Sequence, residues 1–239
     1  VNCFEDFFHD IDSNKVYTKY NLKTTTTRPS NSFGGVNFAA LNKTNGCRKS
    51  FIAENKALVE MDFSAYHPTL IAKLIGYDFK GKDIHKYFAE LYGVDYETSK
   101  QLTFKQLYGN VFPEYEHLEF FVKLKKFIAK TWDNFKKIGY YECPISGYRF
   151  YDKDLKNMNP PKLLNYILQQ TETSNNVVLI WEIIKMMKGS KTRLILYTYD
   201  SILLDYHPDD SELIKNIKKL FKDEKLQYKI NYGLNYDFK

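Results

Sequence analysis

Residues 59–70 read VEMDFSAYHPTL. An apolar run suited to a strand ends on an acid, Asp62. Small and aromatic residues follow, and then a helical pattern. An aspartate at such a junction is ordinarily a cap or turn residue that accepts from nearby backbone N–H groups. A second stretch, LILYTYDSILLDY at residues 194–206, sets Asp200 between two apolar runs in the same way. Two carboxylates brought together can hold divalent cations, whereas either one alone is commonplace. These two stand 138 residues apart, so only the fold can pair them.

Working outward, KALVEMDF (56–63) reads as a buried strand and residues 65–76 as a helix. GYDFKGKD (76–83) is a loop, DIHKYFAELYG (83–93) a short helix, and residues 95–109 a further helix stopped by Gly109. Pro113 is expected to open a long amphipathic helix, with Phe120, Phe121, Leu124, Phe127, Ile128, Trp132 and Phe135 on its apolar face. CPISGYRFY (143–151) alternates around a glycine like a hairpin, and Pro160–Pro161 start a second long helix that runs to about Lys188. Residues 192–206 form two apolar runs with Asp200 near the bend. Residues 209–223 form a surface helix with Ile214, Ile217, Leu220 and Phe221 inward, and YKINYG (228–233) is a closing strand. Residues 1–34 are polar and irregular. The pattern is α+β, an antiparallel sheet carrying long helices.

The 239 residues include 20 Tyr and 18 Phe and carry a formal charge of +6. So many rings cannot all be interior, and an excess of lysine suits a polyanionic partner without proving one. Cys3, Cys47 and Cys143 are widely spaced, with no zinc pattern and no implied disulfide framework, which points to a reducing intracellular location. No run reaches the roughly 18 apolar residues of a membrane span, and no secretory leader is visible.

Within the helix at 96–109, Lys100, Phe104 and Tyr108 are spaced by four and share one face. That face offers a cation for phosphate and two rings for a base or sugar. The plainer alternative is two core rings with a lysine reaching past them to water.

Taken together, these stretches resemble the palm and fingers of the family A nucleic-acid polymerases, the group of bacterial polymerase I and the phage and organellar single-subunit enzymes. DFSAYHPTLIAKL resembles motif A, which puts Asp62 on the metal-binding aspartate and the Phe63 carbonyl on the backbone metal ligand. KQLTFKQLYG resembles motif B, with Lys100 on the triphosphate-binding lysine, Phe104 on the ring against the incoming nucleotide and Tyr108 on the tyrosine at the helix base. YTYDSILL resembles motif C, with Asp200 on the second metal-binding aspartate and Tyr199 in place of a histidine. TTTTRPSN puts Arg28 on an arginine that contacts primer–template, and CRKSFIA makes Arg48 a further basic candidate. NYILQQT puts Asn165 and Gln169 on template-side positions, and NYGLNYDF resembles the closing segment.

The resemblance implies a right-hand polymerase palm in residues 1–75 and 141–239 and helical fingers in 76–140, with thumb and exonuclease domains absent or minimal. It implies two Mg²⁺ ions, a DNA primer–template, deoxynucleoside triphosphates and no membrane. Only 27 residues precede Arg28, so it further implies a fragment, or a minimal enzyme that borrows duplex grip from a thumb or processivity partner or from a missing N-terminal domain. Tyr96 stands where motif B has an arginine, His67 where motif A has the glutamate that excludes the ribose 2′-OH, and Ser201 where motif C often has glutamate. The expected activity is template-directed DNA synthesis. The alternatives are a related RNA- or primer-synthesising enzyme and an inactive polymerase-derived binding subunit.

Overall fold

The computed structural model describes residues 15–31, 36–223 and 226–238. In chain order its elements are β1 (Ala57–Phe63), α1 (Tyr66–Ile75), α2 (Ile84–Tyr92), α3 (Tyr96–Tyr108), α4 (Glu119–Ile138), β2 (Tyr140–Glu142), β3 (Arg149–Tyr151), α5 (Pro160–Met186), β4 (Arg193–Thr198), β5 (Ser201–Tyr206), α6 (Ser211–Asp223) and β6 (Tyr228–Gly233). The chain divides into two compact units, residues 1–64 with 175–239, and residues 65–174.

The first unit is built on a four-stranded antiparallel sheet ordered β4-β5-β1-β6. β1 lies inside the sheet, and its near-continuous burial follows from that position. Side chains alternate along it. Leu58, Glu60 and Asp62 share one face; Val59, Met61 and Phe63 share the other. On the second face Phe63 stacks on Phe221 of α6, with centroids 4.6 Å apart, and Ile214 and Ile217 of α6 are buried nearby in sequence. Leu220, expected inward with them, is only half-buried, because it lies at the margin of the α6 stripe. On the first face Leu58, Leu196 and Leu203 join Val36, Phe38 and Tyr236 in a core cluster. Exposed Trp181 and Val177 of α5 line, with Tyr20, Leu22, Pro29 and Tyr197, an open apolar cleft of about 370 Å³.

The second unit is helical. Asp83 and Asp95 accept from the first free N–H groups of α2 and α3, the ordinary means by which a short helix starts. Phe79, Phe88, Tyr92, Phe120 and Phe121 form an aromatic core of mostly edge-on ring pairs. A second cluster joins Phe135 of α4, Phe150 of the β2–β3 hairpin, and Leu163 and Ile167 of α5. Gly109 ends α3 where a Cβ would meet the Lys105 carbonyl oxygen at 2.8 Å, so this stop requires glycine.

The long helix expected from Pro113 starts instead at Glu119. Pro113–Tyr115 form a single 3-10 turn, and Leu118 is extended at φ −66°, ψ 133°. The turn brings the Tyr115 ring to 4.5 Å from that of Tyr92, a contact that a continuous helix would give up. The polar N-terminal stretch is irregular across residues 15–31, apart from one bridge between Asn21 and Ser30. Residues 1–14 and 32–35 of that stretch lie outside the described residues. Cys143 is a free buried thiol, whereas Cys47 departs from the expectation of unbridged cysteines and is disulfide-bonded; Cys3 lies outside the described residues. Among the described residues no helix is long and apolar enough to cross a membrane.

Phe121 is fully buried at the centre of the aromatic core. Phe121→Ala is expected to cost about 3–5 kcal/mol, read from the shift in the urea unfolding midpoint.

Candidate active site

The register of β1 against β5 sets Asp62 directly across from Ser201. One residue further on, the Phe63 amide donates to the Asp200 carbonyl oxygen at 3.0 Å. Asp62 and Asp200 therefore sit at the same end of two adjacent strands, and both are half-buried. Two sequence motifs 138 residues apart become neighbours through one antiparallel ladder.

The β4–β5 hairpin that carries Asp200 is strained. Thr198 pairs with Ser201, which leaves Tyr199 and Asp200 as a two-residue turn, and Tyr199 has a φ of 55°. A bulky residue there costs of order 1–3 kcal/mol and persists only where its surroundings hold it. Three contacts do so. The buried Asn176 amide donates to the Tyr199 carbonyl at 2.5 Å. The Arg28 guanidinium lies 3.8 Å from the Tyr199 ring centroid. The Thr198 and Ser201 hydroxyls bond across the turn at 2.6 Å. Arg28 is presented by the turn before it, where the Thr27 amide reaches the Thr24 carbonyl and the Thr24 hydroxyl donates to the Arg28 carbonyl at 2.9 Å.

The face that bears Asp62 also bears Glu60, which accepts from the Asn231 amide at 2.8 Å. Lys229 of β6 stands in register opposite Asp62. Tyr236 is 2% exposed, and burial pushes its phenol from 10.0 up to about 12. Negative charge on Glu60 and Asp62 adds to that rise; Arg48 and a hydrogen bond from Thr198 oppose it. Arg48 is itself buried, its guanidinium 4.5 Å from the Tyr236 centroid and donating to the Leu41 carbonyl. In this structure it braces the Tyr236 ring.

In the second unit the α3 face forms as its spacing predicts. Phe104 and Tyr108 are parallel, 5.9 Å apart with a 4° interplanar angle, and Lys100 is half-buried one turn earlier. Tyr108 hydrogen-bonds Nδ1 of His67, from the first turn of α1. Tyr96 packs edge-on against His85 at 5.7 Å. On α5 the Gln169 amide donates to the Asn165 side-chain oxygen at 3.0 Å, so this pair is preset one helical turn apart.

Lys229, Tyr236, Asn176 and Glu172 were not read from sequence as site residues. A signal for the last two was present. QQTETSNN, residues 169–176, puts eight polar residues in the middle of a long helix, and Gln170, Thr171, Glu172, Thr173, Ser174 and Asn176 are all buried. Buried polar runs of this kind must be answered by partners.

No family model and no curated protein sequence matches the chain. Among solved structures it is similar to the POL domain of Pol1 from M. smegmatis, solved in complex with DNA primer-template and dNTP, at a TM-score of 0.79 and 17% identity. The match covers 92% of this chain and 48% of that one, so the chain spans about half the length of the structure it matches. The fold is that of a polymerase domain. Its mixed helices and antiparallel sheet are palm-like, as the resemblance implied.

Two outcomes check this geometry. Asn176→Ala strips the strained Tyr199 carbonyl of a buried donor and is expected to lower stability by about 1–3 kcal/mol in thermal unfolding. The neutral Tyr236 phenol is favoured by folding, so its contribution is complete below pH 10.0 and is lost as pH rises towards about 12. Between pH 9 and pH 11.5 the stability read from urea unfolding should therefore fall further in wild type than in Tyr236→Phe, by about 2 kcal/mol.

Proposed function

We propose that the chain carries out template-directed transfer of deoxynucleotides to a primer 3′-OH. What supports this reading above all is the pairing of Asp62 and Asp200 at one end of adjacent strands, in a sheet whose fold matches a polymerase domain. Residues 1–75 and 141–239 serve as palm and residues 76–140 as fingers, with motif B on α3.

The donor set fits magnesium. Among the described residues no cluster of three or more acids, histidines or cysteines could hold a metal ion unaided. Mg²⁺ at a phosphoryl-transfer site needs only one or two protein carboxylates, with substrate phosphates completing its shell. Asp62, Asp200 and the Phe63 carbonyl would hold two such ions. When bound, they supply charge neutralisation at the attacking and leaving oxygens.

The chain's own residues do the rest. Lys100 meets the triphosphate as a point charge, on a helix whose Asp95 cap holds it in register. Phe104 and Tyr108 form a flat platform beside the incoming nucleoside. Arg28, stacked on Tyr199, ties the nucleic-acid backbone to the very turn that carries Asp200. Asn165 and Gln169 meet the template side as one preset pair. Arg48 acts at one remove, through Tyr236.

A second reading, synthesis of RNA or a mixed primer, draws on His67 at the sugar-discriminating position and on Ser201 after Asp200.

Primer extension on a DNA template with Mg²⁺, comparing dNTPs with rNTPs, tests both readings. Extension by dNTPs is expected, with Asp62→Asn and Asp200→Asn each lowering it by about 10³-fold or more. Lys100→Ala should act mainly on the KM for dNTP, about tenfold or more, since losing one ionic contact is worth about 1.5–3 kcal/mol. Full activity in Asp200→Asn sinks the proposal. Extension by rNTPs alone favours the second reading, and tight duplex binding without extension of any kind points to a binding subunit.

A further inference from the structure

A buried acid with no part in the scheme above lies in the second unit. Glu172, mid-way along α5, is 2% exposed. Its Oε1 lies 3.5 Å from Nε2 of His67, whose side chain is 8% exposed. The other imidazole nitrogen of His67, Nδ1, faces the Tyr108 hydroxyl. Three helices thus converge in one file: Glu172 from α5, His67 from α1 and Tyr108 from α3.

The order of groups in this file dictates where the protons go. A carboxylate facing an imidazole nitrogen favours hydrogen on that nitrogen, because two lone pairs opposed in a low-dielectric interior repel. With hydrogen on Nε2, Nδ1 is left as an acceptor and the Tyr108 hydroxyl is its donor. The Tyr108 ring is 37% exposed, and an exposed ring at a helix end would ordinarily turn freely. Here its hydroxyl is tethered to a buried base and its face is parallel to Phe104.

We infer that Glu172 is the positioning residue for sugar recognition: it fixes the tautomer of His67, and His67 in turn pins Tyr108 against the place where a ribose 2′-OH would have to fit. The inference rests on the polymerase reading of Phe104 and Tyr108 as the nucleotide platform. It accounts for a chain that has His67 where the resemblance implies a glutamate. The carboxylate stands one link further back, on α5. A pinned ring excludes the extra hydroxyl by contact, and an unpinned one yields to it.

The test uses the full chain with ¹⁵N-labelled histidine, reading the imidazole nitrogen shifts at neutral pH, with His67→Gln assigning the signal among five histidines. The expected spectrum shows His67 as the Nε2–H tautomer with Nδ1 accepting. Glu172→Gln, which can turn its NH₂ towards Nε2, is expected to invert that preference. Tyr108→Phe, at a partly exposed site that tolerates the change, should leave Nε2–H in place and shift only Nδ1. In parallel primer extension, the ratio of kcat/KM for dNTP over rNTP is expected to fall about tenfold in both variants, the worth of one hydrogen bond of about 1.4 kcal/mol. A wild-type Nδ1–H tautomer, or a tautomer indifferent to Glu172→Gln, overturns the relay. A tautomer that inverts while the ratio stays put overturns the sugar role. Wild-type protein that extends no primer defeats the polymerase reading and the sugar role with it, and the spectrum then decides by itself whether Glu172 positions His67.

Discussion

The candidate site depends on one ladder. β1 and β5 run antiparallel with Asp62 opposite Ser201, and this register alone brings the two acids to the same strand end. Side chains alternate with a period of two, so a slip of one residue would turn Asp62 towards the face that packs on Phe221. The register is held on both faces. Leu58 and Leu203 sit in one apolar cluster, and Phe63 stacks on Phe221 in another. Burial therefore does the aligning, and the polar ends of the strands inherit their positions from it.

The turn at Tyr199–Asp200 shows the opposite use of energy. A glycine at position 199 would adopt its φ of 55° without strain, yet a tyrosine is kept there. The ring provides a surface for the Arg28 guanidinium, and the strained carbonyl provides an acceptor for Asn176. Strain at this turn is offset by contacts that would otherwise have no anchor, which leaves the Asp200 backbone with few alternatives. Rigid placement is what the metal-binding role proposed for Asp200 would require.

α5 supplies polar groups in a place where a helix usually supplies leucine. Asn176 serves the turn of the first unit, while Glu172 and Gln170 serve partners in the second, including His67 and Ser174. Each buried group on this helix is costly unless answered, so their partners are as constrained as they are. A single helix thereby specifies polar geometry in both units.

Much of this was legible in the residues themselves. Apolar runs place the strands at Asp62 and Asp200, and helical spacing places the shared face of Lys100, Phe104 and Tyr108, because both are local features of the chain. The start of α4 was not legible from Pro113, since it depends on Tyr115 finding Tyr92. Nor was the company of the two acids: Lys229 across from Asp62, Tyr236 braced by Arg48, and Asn176 beneath the turn come from distant parts of the chain. The polar run QQTETSNN announced that partners must exist without saying which. Period and propensity act over a few residues, and from the sequence alone they determined the elements and the chemistry each one carries. Which carboxylate meets which imidazole, and which strand end meets which, is settled by burial across long sequence separations, and only the tertiary structure could decide it.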